Sequence, residues 1–406
     1  MPSVSVIIPA YNHEKFVAEC IQSVLNQTFQ DFEIIITDDA STDRTVEIIE
    51  SFDDSRIKLF KHSKNQGVSI AANNCILHAG GRYIAWLSTD DAWYPEKLEI
   101  QVRYLDEHPE IGGAFGKAAW IDESGNLITD NSFPYLNVFN VPNRSRVEWL
   151  RYFFLTGNCL SLPSSLVRKE CFDKVGTFNP AYAKIPDLDL WIRICFKYDI
   201  AILDQKLIRN RWINDESNAS ADTLKNRIQV RFEYRHSLNH YLKIKNPDEL
   251  LSIFPDADQY GEMTSNTIPY VLGRIAVDDG TDFKTLWGLD VIYALLKDEN
   301  TARILKNNCN FTYLDFLKLS TEYDPFNLQH LQQLVERGKT IEALMAQIDG
   351  NHKTIEALTA HIEERQRAAQ SLTAQLHETE RELEAIKSTR SWRYTQFLRQ
   401  LWGKLR

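Results

Sequence analysis

The chain has 406 residues, more than a single compact core ordinarily takes, so two or more structural units are expected. Hydrophobic residues make up 43% and aromatics 11%, which excludes a largely disordered chain. A net charge of -10 argues against general nucleic-acid binding, because neutralising phosphates needs a basic face.

The opening MPSVSVIIPAYN has no charged n-region and no long apolar h-region, so no secretory signal is expected. No run of about 18 apolar residues predicts a membrane span. Residues 4–9 (VSVIIP) read as a strand buried on both faces. Residues 13–26 carry apolar positions at helical spacing, and 32–37 (FEIIIT) read as a second buried strand. A helix is expected over 41–52 with Thr42 as its cap, then a strand over 56–60, a helix over 67–79 and a strand over 82–87. Strands and helices alternating at these lengths predict βαβ units and a mostly parallel, Rossmann-like sheet. In such sheets ligands bind beyond the carboxyl ends of the strands, where 9–12, Asp38–Asp39 and Asp90–Asp91 all fall.

Further on, 114–121, a DESGN turn at 122–126 and 127–129 suggest a hairpin. Short helices are expected over 147–154 and 167–175, and an amphipathic helix with an acidic first turn over 187–197. Residues 223–327 read as a helical extension without a catalytic signature. Over 341–386 a heptad repeats, with a positions Ile341, Ile348, Ile355, Ile362, Ala369, Leu376 and Leu383. Its d positions include Leu344, Leu358, Leu372 and Ile386, and KTIEAL recurs after fourteen residues, two whole heptads. That pattern predicts a coiled coil over 328–388 and a homo-oligomer. The tail, 389–406, is a basic amphipathic stretch rich in aromatics, suited to an anionic bilayer surface. The six cysteines show no CxxC spacing, which disfavours a zinc or disulfide framework. Buried thiols in a reducing cytoplasm are expected, with peripheral contact on the inner face of the cell membrane.

Four blocks, VSVIIPAYN, SVLNQTFQDFEIIITDDASTDRT, NQGVSIAANN and AGGRYIAWLSTDDAWYPEKL, resemble the opening of family 2 glycosyltransferases, and VGTFNPAYAKIPDLDLWIRI at 175–194 continues the likeness. The resemblance implies a GT-A catalytic domain over 1–222 and inverting transfer from a nucleotide-sugar donor, of the kind that builds bacterial surface polysaccharides. The acceptor would be a glycan or a lipid-linked glycan. It implies that Tyr11 stacks on the base, with Pro9, Ala10 and Asn12 shaping its loop. Asp39 would accept from the base, which suits a UDP-sugar, and Asn73 would lie at the nucleotide. Asp91 would ligate Mg²⁺ or Mn²⁺, with Asp90 binding metal or ribose, since hard cations take carboxylate oxygens and neutralise a leaving diphosphate. Asp187 matches the general base, with Asp189 as the alternative, and Arg209 or Arg211 could meet phosphate. The chain departs from the family pattern at Ser88, where Asp is common, at Ala72, where Arg is common, and at Pro186, where Glu is usual. Two other classes fit parts of the sequence. A sugar nucleotidyltransferase would need a glycine-rich basic loop where PAYNHEK stands, and a non-catalytic assembly protein would leave the aspartates without a role.

Overall fold

The computed structural model describes residues 1–213 and 222–404. Residues 1–325 form one compact unit. Its sheet contains β1 (Val4–Ala10), β2 (Phe32–Asp38), β3 (Ile57–Lys61), β4 (Tyr83–Trp86), β5 (Ala92–Trp93), β6 (Ile111–Ile121), β7 (Leu166–Arg168) and β8 (Asp199–Arg211), in the order β3-β2-β1-β4-β7-β6-β8-β5. The first four of that order run parallel. β7 is antiparallel to both β4 and β6, and β6 pairs in parallel with β8. The sheet is therefore mixed.

Between the strands lie α1 (Val17–Leu25), α2 (Thr45–Glu50), α3 (Val68–His78), α4 (Lys97–Glu107), α5 (Arg146–Leu155), α6 (Lys169–Val175) and α7 (Pro186–Cys195). Every residue of β1 and β2 is buried, and alternate side chains feed two cores. Val6, Ile8, Ile34 and Ile36 meet α1 and α4 on one face, while Ile7, Ile35, Ile84 and Trp86 meet α3, α5 and α7 on the other. A continuous apolar run is what a strand covered on both faces requires, which is why these elements stand out in the sequence.

The segment 223–325 packs within the same unit. It folds as α8 (Leu224–Ser237), α9 (Pro247–Ile253), α10 (Ile268–Asp278), α11 (Asp282–Leu296), α12 (Glu299–Cys309) and α13 (Tyr313–Glu322). Tyr234 and Tyr241 place their hydroxyls on α5 carbonyls, the latter on Leu150 O at 2.6 Å.

Three sequence expectations are corrected. Thr42 is not a helix cap: its N–H goes to Asn12 Oδ1 at 2.8 Å, and α2 starts only at Thr45, where Asp43 takes the Thr45 N–H. The stretch 167–175 is not one helix, because Leu166–Arg168 is strand β7 and the helix begins at Lys169. The 114–129 hairpin shrinks to a single Ile121–Leu127 bridge after its turn, because the long strand β6 takes β8 as its partner instead.

Residues 326–406 form a second unit. It consists of α14 (Leu328–Ser388) and α15 (Arg390–Gly403). Thr389 between them has φ -65 and ψ 146, extended backbone, and its hydroxyl takes the Trp392 N–H at 3.3 Å. No residue of α14 is buried, and Ile341, Leu344, Ile348, Ile355, Leu358 and Ile362 are all exposed. Among the described residues no helix is long and apolar enough to cross a membrane.

Candidate active site

β2, β1 and β4 lie side by side and parallel, so their carboxyl ends open on one edge. A cleft of about 1220 Å³ sits there. Its lining includes Pro9, Ala10, Tyr11, Asn12, Asp39, Ser88, Asp90, Asp91, Asp187 and Arg211, so residues far apart in the chain converge on one site.

The floor of the cleft begins with the turn after β4. Leu87 N–H closes on Ile7 O at 3.1 Å, and Asp91 N–H returns to Ser88 O at 3.1 Å. Asp91 is 8% exposed, and among the described residues its carboxylate takes one donor, the Arg211 N–H, at 2.8 Å on Oδ1. Burial, then the neighbouring Asp90 charge, pushes its pKa well above the usual carboxylate range. A buried carboxylate with an oxygen to spare and a second aspartate beside it fits a hard divalent cation, whose charge would offset both the burial and the repulsion. Among the described residues no group of three or more His, Cys, Asp or Glu converges as a metal cage.

Arg211 is placed in the cleft wall but spends its donors on the protein. Nε bonds Asp90 O at 2.8 Å, Nη1 bonds Asp122 O and Glu123 O at 2.9 and 3.1 Å, and Nη2 pairs with Glu19. Its side chain is 1% exposed and lies over the Phe16 ring. The expected phosphate contact is corrected accordingly: Arg211 fixes the Asp90–Asp91 turn and the 122–123 loop. Arg209 pairs with Glu19 at 3.5 Å on strand β8. The stretch that follows Arg209 and Arg211 lies, from 214 to 221, outside the described residues.

On the other wall, Asn12 adopts φ 52 and ties the β1 loop to the β2 loop, its N–H on Ser41 Oγ at 2.9 Å. Asp38 in turn accepts the Ser41 N–H at 2.9 Å. The Asp39 carboxylate receives His62 Nδ1 at 2.7 Å, Gln66 N–H at 2.9 Å and Gly67 N–H at 2.7 Å. Three donors nearly fill its acceptor sites, so Asp39 holds the 62–67 segment against the cleft. Tyr11 is 43% exposed beside this pocket. Asn73 does not reach the cleft: its amide pairs both ways with Phe178, to the carbonyl at 2.7 Å and from the N–H at 3.0 Å.

Asp187 stands in the first turn of α7, half-buried, facing the cleft. Asn158 Nδ2 donates to its Oδ2 at 2.6 Å and Leu188 N–H to its Oδ1 at 2.9 Å. Burial outweighs these donors and lifts its pKa from 3.8 to about 6. A carboxylate tuned near neutrality suits a general base. Asp189 does not compete for that role. It is 1% exposed and locked between Arg193 (2.7 Å) and His240 (2.7 Å), and its pKa is held below the ordinary value. Asn158 and His13, whose ring meets Thr89, line the cleft without a sequence signal, since neither belongs to a recognisable motif.

The family model for glycosyl transferase family 2 matches residues 5–171. An uncharacterized glycosyltransferase of Methanocaldococcus jannaschii is 30% identical over 224 residues, which are 54% of this chain and 74% of that protein. This chain belongs to glycosyltransferase family 2. A Rickettsia felis glycosyltransferase is 31% identical over 276 residues, but this chain spans only 44% of its length. Among solved structures, S. aureus TarS 1–349 in complex with UDP-GlcNAc superposes with a TM-score of 0.50 at 17% identity, covering 75% of this chain and 90% of that one. The fold of this glycosyltransferase is thus the GT-A type, with the cleft at the strand ends as its active-site candidate.

Proposed function

We propose that this glycosyltransferase moves a sugar from a nucleotide-sugar donor, a UDP-sugar by preference, to a hydroxyl of a glycan or lipid-linked glycan during cell-surface polysaccharide synthesis, with inversion at the anomeric carbon. The observation that carries the reading is one cleft holding a base-tuned Asp187 and the Asp90–Asp91 pair. The UDP-GlcNAc complex of the similarly folded TarS supports the choice of donor.

The cleft is acidic. Asp39, Asp43, Asp90, Asp91, Asp187, Glu14 and Glu123 line it, against Lys15 and an internally satisfied Arg211. A diphosphate would be repelled there, so a divalent cation is required for donor binding. Asp91, with Asp90, would hold Mg²⁺ or Mn²⁺. When bound, that ion supplies neutralisation of charge on the departing nucleoside diphosphate. Arg211 keeps both aspartates in place. Tyr11 offers its ring to the base, and Asp39 shapes the base pocket through the Gln66 and Gly67 N–H groups. Asp187 takes the acceptor hydroxyl proton as that oxygen attacks the anomeric carbon and the diphosphate leaves. Asn158 orients the carboxylate for this.

Outside the catalytic unit, the exposed apolar stripe of α14 is read as a coiled-coil face for a second copy of the chain. Basic, aromatic α15 is read as a contact with anionic lipid on the cytoplasmic face of the membrane, where a lipid-linked acceptor would be found. Transfer from UDP-sugars to purified acceptors, with wild type and Asp187→Ala compared, tests the catalytic reading. Donor hydrolysis or transfer unaffected by Asp187→Ala would remove its basis.

A further inference from the structure

Resting on Asp187 as the base, we propose that Glu233 of α8 is a positioning residue for it, with Tyr234 as its companion, so that the helical segment after residue 222 completes the active site. The Glu233 side chain is buried, 2% exposed, and accepts three consecutive N–H groups, those of Ala183, Lys184 and Ile185, each at 2.9 Å. Those residues lead directly into Pro186, the first residue of α7, and then Asp187. One carboxylate therefore sets the path by which the chain enters the helix that carries the base. Charge-assisted bonds to backbone N–H groups are among the stronger hydrogen bonds, and three on one buried group leave the segment little freedom.

Tyr234, the next residue, secures the opposite side. Its hydroxyl donates to Phe153 O and to Phe154 O, the latter at 3.1 Å, at the end of α5. The chain then passes Gly157, at φ +112, where a Cβ would come within 3.3 Å of the Tyr234 ring. Asn158 follows and grips Asp187 Oδ2. Two adjacent residues of α8 thus hold both walls of the Asp187 site. A tie that only anchored α8 to the sheet would have no need to converge on the two segments that bear the base and its orienting amide.

The Glu233 charge also bears on Asp187, adding to burial in raising its pKa. Among the described residues, the other charged and titratable groups around the pair are Lys184 on the loop, Lys225 on α8, Tyr182, and Asp189, which pairs with Arg193 and hydrogen-bonds the His240 ring. A neutral side chain at 233 lowers the pKa of Asp187 as well as loosening its loop.

The test uses full-length Glu233→Gln and Tyr234→Phe. Three readouts are taken: carbon-13 NMR titration of the Asp187 carboxyl without substrate, kcat and KM for transfer, and calorimetric affinity for UDP with Mn²⁺. Glu233→Gln is expected to titrate Asp187 below its wild-type value. It is also expected to cut kcat about tenfold to a hundredfold, with nucleotide affinity within about twofold of wild type. Tyr234→Phe is expected to lower kcat without moving the titration. An Asp187 titration and kcat like wild type in Glu233→Gln would overturn the proposal, as would nucleotide affinity falling in step with activity. The carboxyl titration reads positioning even if no donor is turned over, so a failed transfer assay counts against the proposed function and not against this assignment.

Discussion

Replacing Asp187 with asparagine should abolish transfer and stabilise the protein at neutral pH. Its carboxyl titrates at about 6 in place of 3.8 because burial raises it more than Leu188 N–H and Asn158 lower it. At ~1.4 kcal/mol per pH unit, keeping it ionised above pH 6 costs the fold up to ~3 kcal/mol. Asparagine removes that cost, but its amide nitrogen must face one of the two donors, which forfeits about 1–2 kcal/mol. The net gain is about 1–2 kcal/mol. The direction with pH follows from linkage. A raised pKa means the folded state holds the proton more tightly, so the associated stability is complete below pH 3.8 and lost as pH rises through about 6. Urea unfolding of wild type and Asp187→Asn at pH 4.5 and 7.5, followed by tryptophan fluorescence, should give a gap that favours the variant at 7.5 and closes or reverses at 4.5. A variant less stable at pH 7.5, or a gap independent of pH, would refute burial as the source of the tuning.

The same carboxyl predicts that kcat falls as pH drops through about 6, with the slope of a single protonation; a rate flat down to pH 5 would exclude Asp187 as the base. Arg211→Ala should destabilise the fold by about 3 kcal/mol, because it strands the three carbonyls of Asp90, Asp122 and Glu123 while Glu19 keeps Arg209 and solvent, and chemical denaturation measures it. Asn73→Ala should cost about 1–3 kcal/mol through the lost Phe178 bonds while leaving UDP affinity unchanged, which separates a packing role from a binding one. Ile348→Glu with Ile355→Glu should reduce the sedimenting mass to a monomer if α14 pairs; an unchanged mass places self-association elsewhere.

The sequence made the parallel half of the sheet readable because β1 and β2 are buried on both faces and so are rich in Val and Ile. The second half was harder. β7 has three residues and runs straight into α6, and β8 is a long strand with Asp204, Lys206, Arg209 and Arg211, whose partner is set only by tertiary packing. Within the site, the aspartates stood out because they follow strands. What each carboxylate or guanidinium is bonded to did not, since that depends on residues distant in sequence. Arg211 looked free to meet phosphate, yet four carbonyl and carboxylate partners from 19, 90, 122 and 123 absorb it. Asp189 looked equivalent to Asp187 two residues before it. Helical geometry turns Asp189 to Arg193 one turn on and to His240 from a later segment, and leaves Asp187 facing the cleft. Asn158 and Glu233 carried no signal at all, because a lone amide or glutamate becomes part of a site only through what folding brings beside it.

In the proposed function, Asp90–Asp91 and the strand-end cleft bind a nucleotide-sugar through a divalent cation. Calorimetric titration with UDP, with and without Mn²⁺, on wild type and Asp91→Ala tests it most directly. Binding that requires Mn²⁺ and is lost in Asp91→Ala is the predicted result. Metal-independent binding, or binding retained in Asp91→Ala, would contradict it.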